Sequence, residues 1–320
     1  MYCDMSFVPC ELHCHTLHSD GGFEVPELQK SAKKDGLSLI ALTDHNTMSG
    51  HEELNDKIIP TIRGIEWTTY YGHMLVLGAK SFVDWRDAVP DNIDEKIAAV
   101  KAQNGLVGIA HPFQLGSPMC TGGRWEFNVK NFDNVDYVEI WHQSFSDKNY
   151  ENDRATAFWT SLLDKSYHIA ASYGRDWHRP EKGGHFGCTY LDIDGELTPE
   201  NAMSAIENGR TVVSTKAEFH FIIKSNDNIY RIGDVVPCGE SEFVFTLRDG
   251  KKCEEGYNPE YKEIRIITNG GECAFKCDAY TERVTIPLKG GQWYRAELWG
   301  SLDEKEEIFA ITSPVYVKED

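Results

Sequence analysis

Residues 11–22 read Glu11-Leu12-His13-Cys14-His15-Thr16-Leu17-His18-Ser19-Asp20-Gly21-Gly22 and complete the apolar run that starts at Phe7. The run Phe7 to Leu12 reads as a short buried strand. On a strand, side chains two apart point the same way, so His13 and His15 share one face and Cys14 takes the other. Two neutral imidazoles fixed on one face supply half of a divalent metal site. The rest of the chain repeats the arrangement. Asp44-His45-Asn46 follows Leu37 to Leu42, Glu66 closes Thr61 to Ile65, His111 ends Leu106 to Ala110, and His142 ends Tyr137 to Trp141. Asp176-Trp177-His178 comes just after Ile169 to Ser172, while His73 is the exception, opening the run Met74 to Leu77. In parallel β/α folds the chemistry gathers at the carboxyl ends of strands, where the following loops converge. Eleven of the twelve histidines fall before residue 186, which concentrates this signal in the first two thirds of the chain.

The surrounding pattern supports that architecture. Val25 to Lys34 reads as a helix with Val25, Leu28 and Ala32 on one stripe, and Gly36 as its stop. Asp91 to Asn104 is a second helix, ended by Gly105 before a strand at 106–110. Asp153 to Asp164 and Pro199 to Glu207 are further helices between strands at 137–141, 168–171, 188–193 and 211–213. This is β/α alternation with about seven strands. The texture changes near Thr215. Beyond it, period-two runs at 218–224, 241–247, 263–268, 283–288 and 294–299 are separated by turns such as Asn226-Asp227-Asn228 and Asn269-Gly270-Gly271. The reading is two domains, 1–215 carrying the candidate site and 216–320 a small β-sandwich, immunoglobulin-like in architecture, that packs against it. Because every candidate ligand lies before residue 215, the first domain is expected to fold without the second.

The ordered set HCHTLHSDGG, TDHN, GIEWTTYYGH, AHP and DWH resembles the PHP (polymerase and histidinol phosphatase) superfamily of metal-dependent phosphoesterases, nearest its two-domain, carbaryl-hydrolase-like branch. The motifs cover about residues 8 to 215. The resemblance implies a distorted seven-stranded β/α barrel, TIM-like, ahead of the β-sandwich. It implies two to three divalent ions. His13, His15, Glu66 and Asp176 would hold one, Glu66 would bridge to a second held by His73 and His111, and Asp20, His45 and His178 would hold a third. A mixed histidine and carboxylate set suits Zn, Mn or Fe. A hydroxide bridging two ions would be the nucleophile. Asp176 is then also a catalytic residue. His142 departs from the related branch, and stands as a proton donor, a replacement ligand or a buried satisfied histidine. Asp44 reads as a residue orienting His45. Arg124, Arg175 and Arg179 are the basic residues nearest the motifs and candidate phosphate clamps.

Composition narrows the setting. The formal charge is −19, which argues against binding nucleic-acid duplexes. An anionic substrate remains compatible, since bound divalent ions invert the local sign. Apolar runs are too short for a membrane span, and the first ten residues lack the basic and apolar segments of a secretory signal. Nine cysteines without a repeating spacing suit free thiols in a reducing cytoplasm. The expected partner is a small molecule. Two hydrolytic readings stay open, a phosphomonoester or a carboxyl ester, amide or carbamate; an aromatic pocket built from Trp67, Tyr70, Tyr71, Trp141 and Trp177 would favour the second. A non-catalytic, metal-stabilised binding protein is the third.

Overall fold

The computed structural model describes residues 5–116, 122, 124–143, 150–180, 186–215, 217–248 and 257–319. The first strand, β1 (Met5–Glu11), leads into the His13 loop and then α1 (Val25–Lys34). Glu24 and Glu27 close a capping box at the start of α1, Pro26 sits in its first turn, and Lys33 and Lys34 end it. Val25, Leu28 and Ala32 face inward and meet Cys14, Phe23, Ile40, Leu42 and Trp177. Burying Val25 or Leu28 contributes roughly 1.5–3 kcal/mol each, and Ala32 less. Cys14 therefore lies in the core, opposite the two histidines that flank it.

The chain continues through β2 (Leu39–Leu42), β3 (Thr61–Thr69), β4 (Gly72–Leu77), α2 (Ile93–Lys101), β5 (Leu106–Ala110), β6 (Tyr137–His142), α3 (Tyr150–Leu163) and β7 (Ala170–Gly174). It then forms β8 (Cys188–Asp194), α4 (Pro199–Glu207) and β9 (Thr211–Ser214). Strands β1, β2 and β3 are parallel, as are β5, β6 and β7, while β4 runs antiparallel to both β3 and β5. The reversal explains His73. The amino end of β4 lies at the same sheet edge as the carboxyl ends of its parallel neighbours.

Among the described residues the expected distorted seven-stranded barrel does not close. No backbone ladder joins β7 to β8 or β9 among the described residues. Hydroxyl groups bridge that seam instead: Thr189 Oγ1 accepts from the Tyr173 N–H at 2.9 Å, and Thr211 Oγ1 donates to the Ala171 carbonyl at 2.7 Å. An isolated bridge between Cys14 and Trp177 ties the ends of the first and seventh strands together at the site. Closure fails because β8 and β9 form an antiparallel pair on the far side of β1, and β9 passes the sheet on to a strand of the second region. Nor does a helix follow every strand, since only four α-helices occur among the described residues.

The second region comprises β10 (Glu218–Ser225), β11 (Asn228–Arg231), β12 (Val235–Val236), β13 (Gly239–Arg248), β14 (Glu260–Thr268), β15 (Glu272–Asp278), β16 (Arg283–Leu288), β17 (Trp293–Leu302), β18 (Lys305–Thr312) and β19 (Val315–Val317). Strands β11, β10, β13 and β16 make one four-stranded sheet. It packs Phe219, Phe221, Ile223 and Phe243 against Ile264, Ile266, Ala296, Leu298 and Phe309 of the large sheet. The same core takes in Cys188, Tyr190 and Val212 of β8 and β9. The sandwich thus shares one of its two sheets, and part of its core, with the first region.

Candidate metal centre

The strand ends deliver the predicted side chains to one edge. His13 Nε2 lies 3.1 Å from Glu66 Oε2 and 3.3 Å from Asp176 Oδ1. His15 Nε2 lies 2.9 Å from Asp176 Oδ1 and 3.4 Å from Glu66 Oε2. The other carboxylate oxygen of Glu66 faces the opposite way, 2.9 Å from His73 Nδ1 and 3.3 Å from His111 Nε2. His45 Nε2 and His178 Nε2 stand 3.3 and 3.1 Å from Asp20 Oδ1. These are three of five overlapping groups that could hold an ion: His13, His15, Glu66 and Asp176; Glu66, His73 and His111; and His15, Asp20, His45 and His178; the other two are His13, His111 and Glu139, and His111, His142 and Asp176. His15 belongs to two of them, whereas sequence reading gave it to the first alone.

Burial is graded across the three. His13, His15 and Glu66 are fully buried, whereas Asp20 is 61% exposed and His178 27%. The Asp20 group therefore faces solvent.

Several of these buried atoms have no hydrogen-bond partner: His13 Nε2, both ring nitrogens of His15, Glu66 Oε2 and Asp176 Oδ1. His13 Nε2, His15 Nε2, Glu66 Oε2 and Asp176 Oδ1 approach one another closely without forming hydrogen bonds, so these four converge on a common point. Leaving buried polar atoms unpaired costs about 1–3 kcal/mol each. A divalent cation satisfies nitrogen lone pairs and carboxylate oxygens together, and the donor set fits one.

The electrostatics point the same way. Burial disfavours ionised Glu66, but His13 and His45 overcome it and hold its pKa well below the carboxylate range. Asp176 is lowered likewise by His13, His142 and His15 against its burial. Burial would depress His13, yet Glu139, Glu66 and Asp176 raise its pKa well above the ordinary value. His15 is pushed down to about 4 by burial, against Asp176 and Glu66. The carboxylates stay charged, and a buried negative cluster of this kind holds either protons on histidine or a metal cation.

Local backbone geometry aims the side chains. Asn46, His111, Gln143 and Asp176 have φ of 57°, 24°, 57° and 53°, each at or just after a site residue. Such left-handed conformations cost of order 1–3 kcal/mol each and gather where function over-determines the backbone.

Other expectations fare differently. His142 Nε2 lies 3.2 Å from Asp176 Oδ2, its ring 4.7 Å from that of His111, and its backbone N–H donates to Asn152 Oδ1. It thus joins the cluster instead of lying apart in the core. Asp44 does not reach His45 in any described hydrogen bond; its carboxylate accepts from the Thr16 N–H, Thr16 Oγ1 and Ser19 Oγ, all at 2.7 Å, and so anchors the loop that carries Asp20. His45 instead meets Thr68 Oγ1 and Glu66 Oε2 through Nδ1. The Arg175 guanidinium stacks on Trp177 and Phe186, each at 3.9 Å, and pairs with Asp35 at 3.1 Å, so it is engaged beside α1. Arg124 is exposed. Arg179 is also exposed, with its stem against Gly22 in the loop carrying Asp20. Trp67 and Trp177 are core residues, which removes them from any aromatic pocket.

Two buried glutamates escaped sequence reading. Glu11 Oε1 accepts from the His13 and Arg175 backbone N–H groups at 3.0 and 3.1 Å, and burial pushes its pKa up to about 8. Glu139 contacts His13 Nδ1 at 2.9 Å. Each is a carboxylate inside an otherwise apolar strand, where an ionisable group is seldom placed without a partner.

The PHP domain family model matches residues 11–226. An uncharacterized protein of Methanocaldococcus jannaschii is 28% identical over 151 residues, covering 42% of this chain and 82% of that relative. Among solved structures, a two-domain protein containing a predicted PHP-like metal-dependent phosphoesterase from Bacteroides vulgatus superposes with a TM-score of 0.54 at 16% identity, covering 98% of this chain and 96% of that one. It shares the mixed α/β fold with a second domain.

Proposed function

This chain belongs to the PHP domain family, and from that premise we propose that it is a metal-dependent hydrolase acting on a small phosphomonoester. The observation that carries the reading is the set of buried, unpartnered ligand atoms of His13, His15, Glu66 and Asp176, continuous with the solvent-facing Asp20, His45 and His178. A purely structural metal site closes its coordination with protein ligands, whereas a catalytic one leaves positions open towards solvent. The non-catalytic reading is weaker for that reason.

In this reading His13, His15, Glu66 and Asp176 would hold one ion, and Glu66, His73 and His111 a second. Asp20, His45 and His178 would hold a third. Zn, Mn or Fe suits these donors. When bound, such ions act as Lewis acids and make water nucleophilic near neutral pH. The protein's own residues then do the rest. Asp176 lies between the His13–His15 pair and His142. His142, buried beside Asp176, is positioned to hold or donate a proton there. Arg179, exposed beside the Asp20 loop, suits a phosphate oxygen better than Arg175, whose guanidinium is already engaged. Cys14 faces the core and takes no part.

A carboxyl ester, amide or carbamate is the alternative substrate, since the same ligands attack either electrophile. The loss of Trp67 and Trp177 to the core weakens it. A cytoplasmic setting fits the reading: Cys10, Cys14, Cys273 and Cys277 are free thiols, and among the described residues no helix is long and apolar enough to cross a membrane.

Protein loaded with Mn²⁺ or Zn²⁺ should turn over matched substrates in the order phosphomonoester, diester, carboxyl ester by kcat/KM, with inorganic phosphate as a competitive inhibitor. A diester or carboxyl-ester preference without inhibition by millimolar phosphate would replace this reading with the alternative.

A further inference from the structure

We propose that Glu139 is the positioning residue that presents His13 to the metal through Nε2 and at the same time holds His111 in its strained conformation. The inference rests on the metal reading above and concerns a residue outside its ligand set. Glu139 is 1% exposed, and both of its oxygens are used. Oε1 accepts from His13 Nδ1 at 2.9 Å, and Oε2 accepts the backbone N–H of His111 at 2.9 Å. An imidazole that donates through Nδ1 keeps the Nε2 lone pair for a cation, and His13 Nε2 is the unpartnered atom beside Glu66 and Asp176. One carboxylate thereby fixes the tautomer of one ligand and the backbone of another, whose φ is 24°.

Two features of the fold exist around this side chain. A register shift in β6 between Glu139 and Trp141, opposite β7, inserts one extra residue. Without it Glu139 and His142 would point to opposite faces; with it both reach the cluster. At the neighbouring strand, Gly174 leaves the space: a Cβ there would overlap Glu139 Oε1. The absence of a side chain at 174 and the bulge at 140 both serve one carboxylate.

The chemistry gives a sharp test. Gln at 139 offers one acceptor to two donors. If its amide N–H₂ turns to His13, the ring proton moves to Nε2 and the lone pair is lost; if it turns to His111, the backbone N–H is unpaired. E139Q should therefore lower the affinity for the first ion bound about 10- to 100-fold in chelator competition with Zn²⁺, with unchanged stoichiometry at saturation. In the zinc-loaded wild type the His13 Nδ1–H should appear as a slowly exchanging imidazole proton by NMR, and it should vanish in E139Q. G174A, which leaves Glu139 in the chain but displaces its oxygen, should reproduce the affinity loss and keeps the test open if E139Q folds poorly. A lower Tm with wild-type affinity in both variants would reduce Glu139 to packing and overturn the proposal. So would the loss of one whole equivalent at saturation, which would make Glu139 itself a ligand. A wild-type chain that binds no divalent ion would overturn the metal reading and this inference with it, whereas normal binding by wild type and both variants alike would overturn this inference alone.

Discussion

The two regions of the molecule bury polar groups in opposite ways. In the second, Arg295 and Glu297 are 4% and 5% exposed, and every arm is used. Glu297 Oε1 accepts from Arg295 Nε and Nη2, Glu297 Oε2 accepts from Trp299 Nε1, and Arg295 Nη1 donates to Thr160 Oγ1. In the first, His13, His15 and Glu66 are at least as hidden, Asp176 is 16% exposed, and all four carry buried, unpaired atoms. One cluster is complete in the protein alone and the other is not. Complete buried networks fix an arrangement of strands; incomplete ones mark where something else binds.

The comparison breaks most severely if the regions are separated. Sequence reading expects residues 1–215 to fold alone, because all ligands lie there. The structure argues otherwise. Strand β18 pairs with β9 through Ala310, Ile311 and Thr312, and Ser313 Oγ accepts from the Ala171 N–H on β7. Asp164, just after α3, accepts from Gly270 N and Trp293 Nε1. A 1–215 fragment leaves β9 as an exposed apolar edge with Val212 and Val213 uncovered, an arrangement prone to aggregation. It should be insoluble or lack a cooperative unfolding transition, as read by expression yield and circular dichroism. A soluble, metal-binding fragment would show that the shared sheet is dispensable.

Single substitutions then sharpen the contrast. Glu66→Gln should lower turnover by more than about 100-fold and reduce metal content below that of wild type, since an amide bridges two cations poorly. His178→Ala, at the solvent-facing group, should cost less in both. Arg295→Met should do the reverse: it strands Glu297 and should cost about 3–5 kcal/mol of stability, read by denaturant unfolding, while metal content stays at the wild-type level. Equal metal loss in Glu66→Gln and Arg295→Met would mean that the two buried clusters do not differ in kind.

Most of the candidate site was legible because its residues recur at the ends of apolar runs, and the parallel strands turn that recurrence into one edge. His73 looked anomalous only because the reversal of β4 is invisible in the pattern of the run itself. Glu139 was hidden by the register shift in β6, since period-two alternation separates it from His142. The barrel was over-read for a related reason. Apolar runs announce strands, but neither their direction nor their neighbour, and the antiparallel return of β8 and β9 decides whether a sheet closes. The hand-over to β18 depends on residues a hundred positions away, beyond the reach of local pattern.

The smallest expected effect concerns the one histidine of the second region. His220 lies on β10, at the seam, with its ring 4.4 Å from that of Phe7 on β1. Burial pushes its pKa down to about 4, against the pull of Asp192 and helped by Arg248 and Arg231; Glu218 is the other carboxylate beside it, at 4.0 Å. A histidine lowered in the folded state is neutral there when the unfolded chain has already taken a proton. Its contribution is therefore intact above the ordinary value near pH 6.5, is lost as pH falls towards about 4, and changes no further below. His15 has the same sign, but its neighbours are the other ligands, so its titration is entangled with metal occupancy. His220 has no such partner. His220→Gln should flatten the decline of stability between these limits by about 2 kcal/mol or less, and the difference should be the same with and without added metal. Parallel stability–pH curves for the variant and wild type would mean that His220 accepts its proton in the folded chain, and that the seam between the regions is wetter than its packing against Phe7 implies.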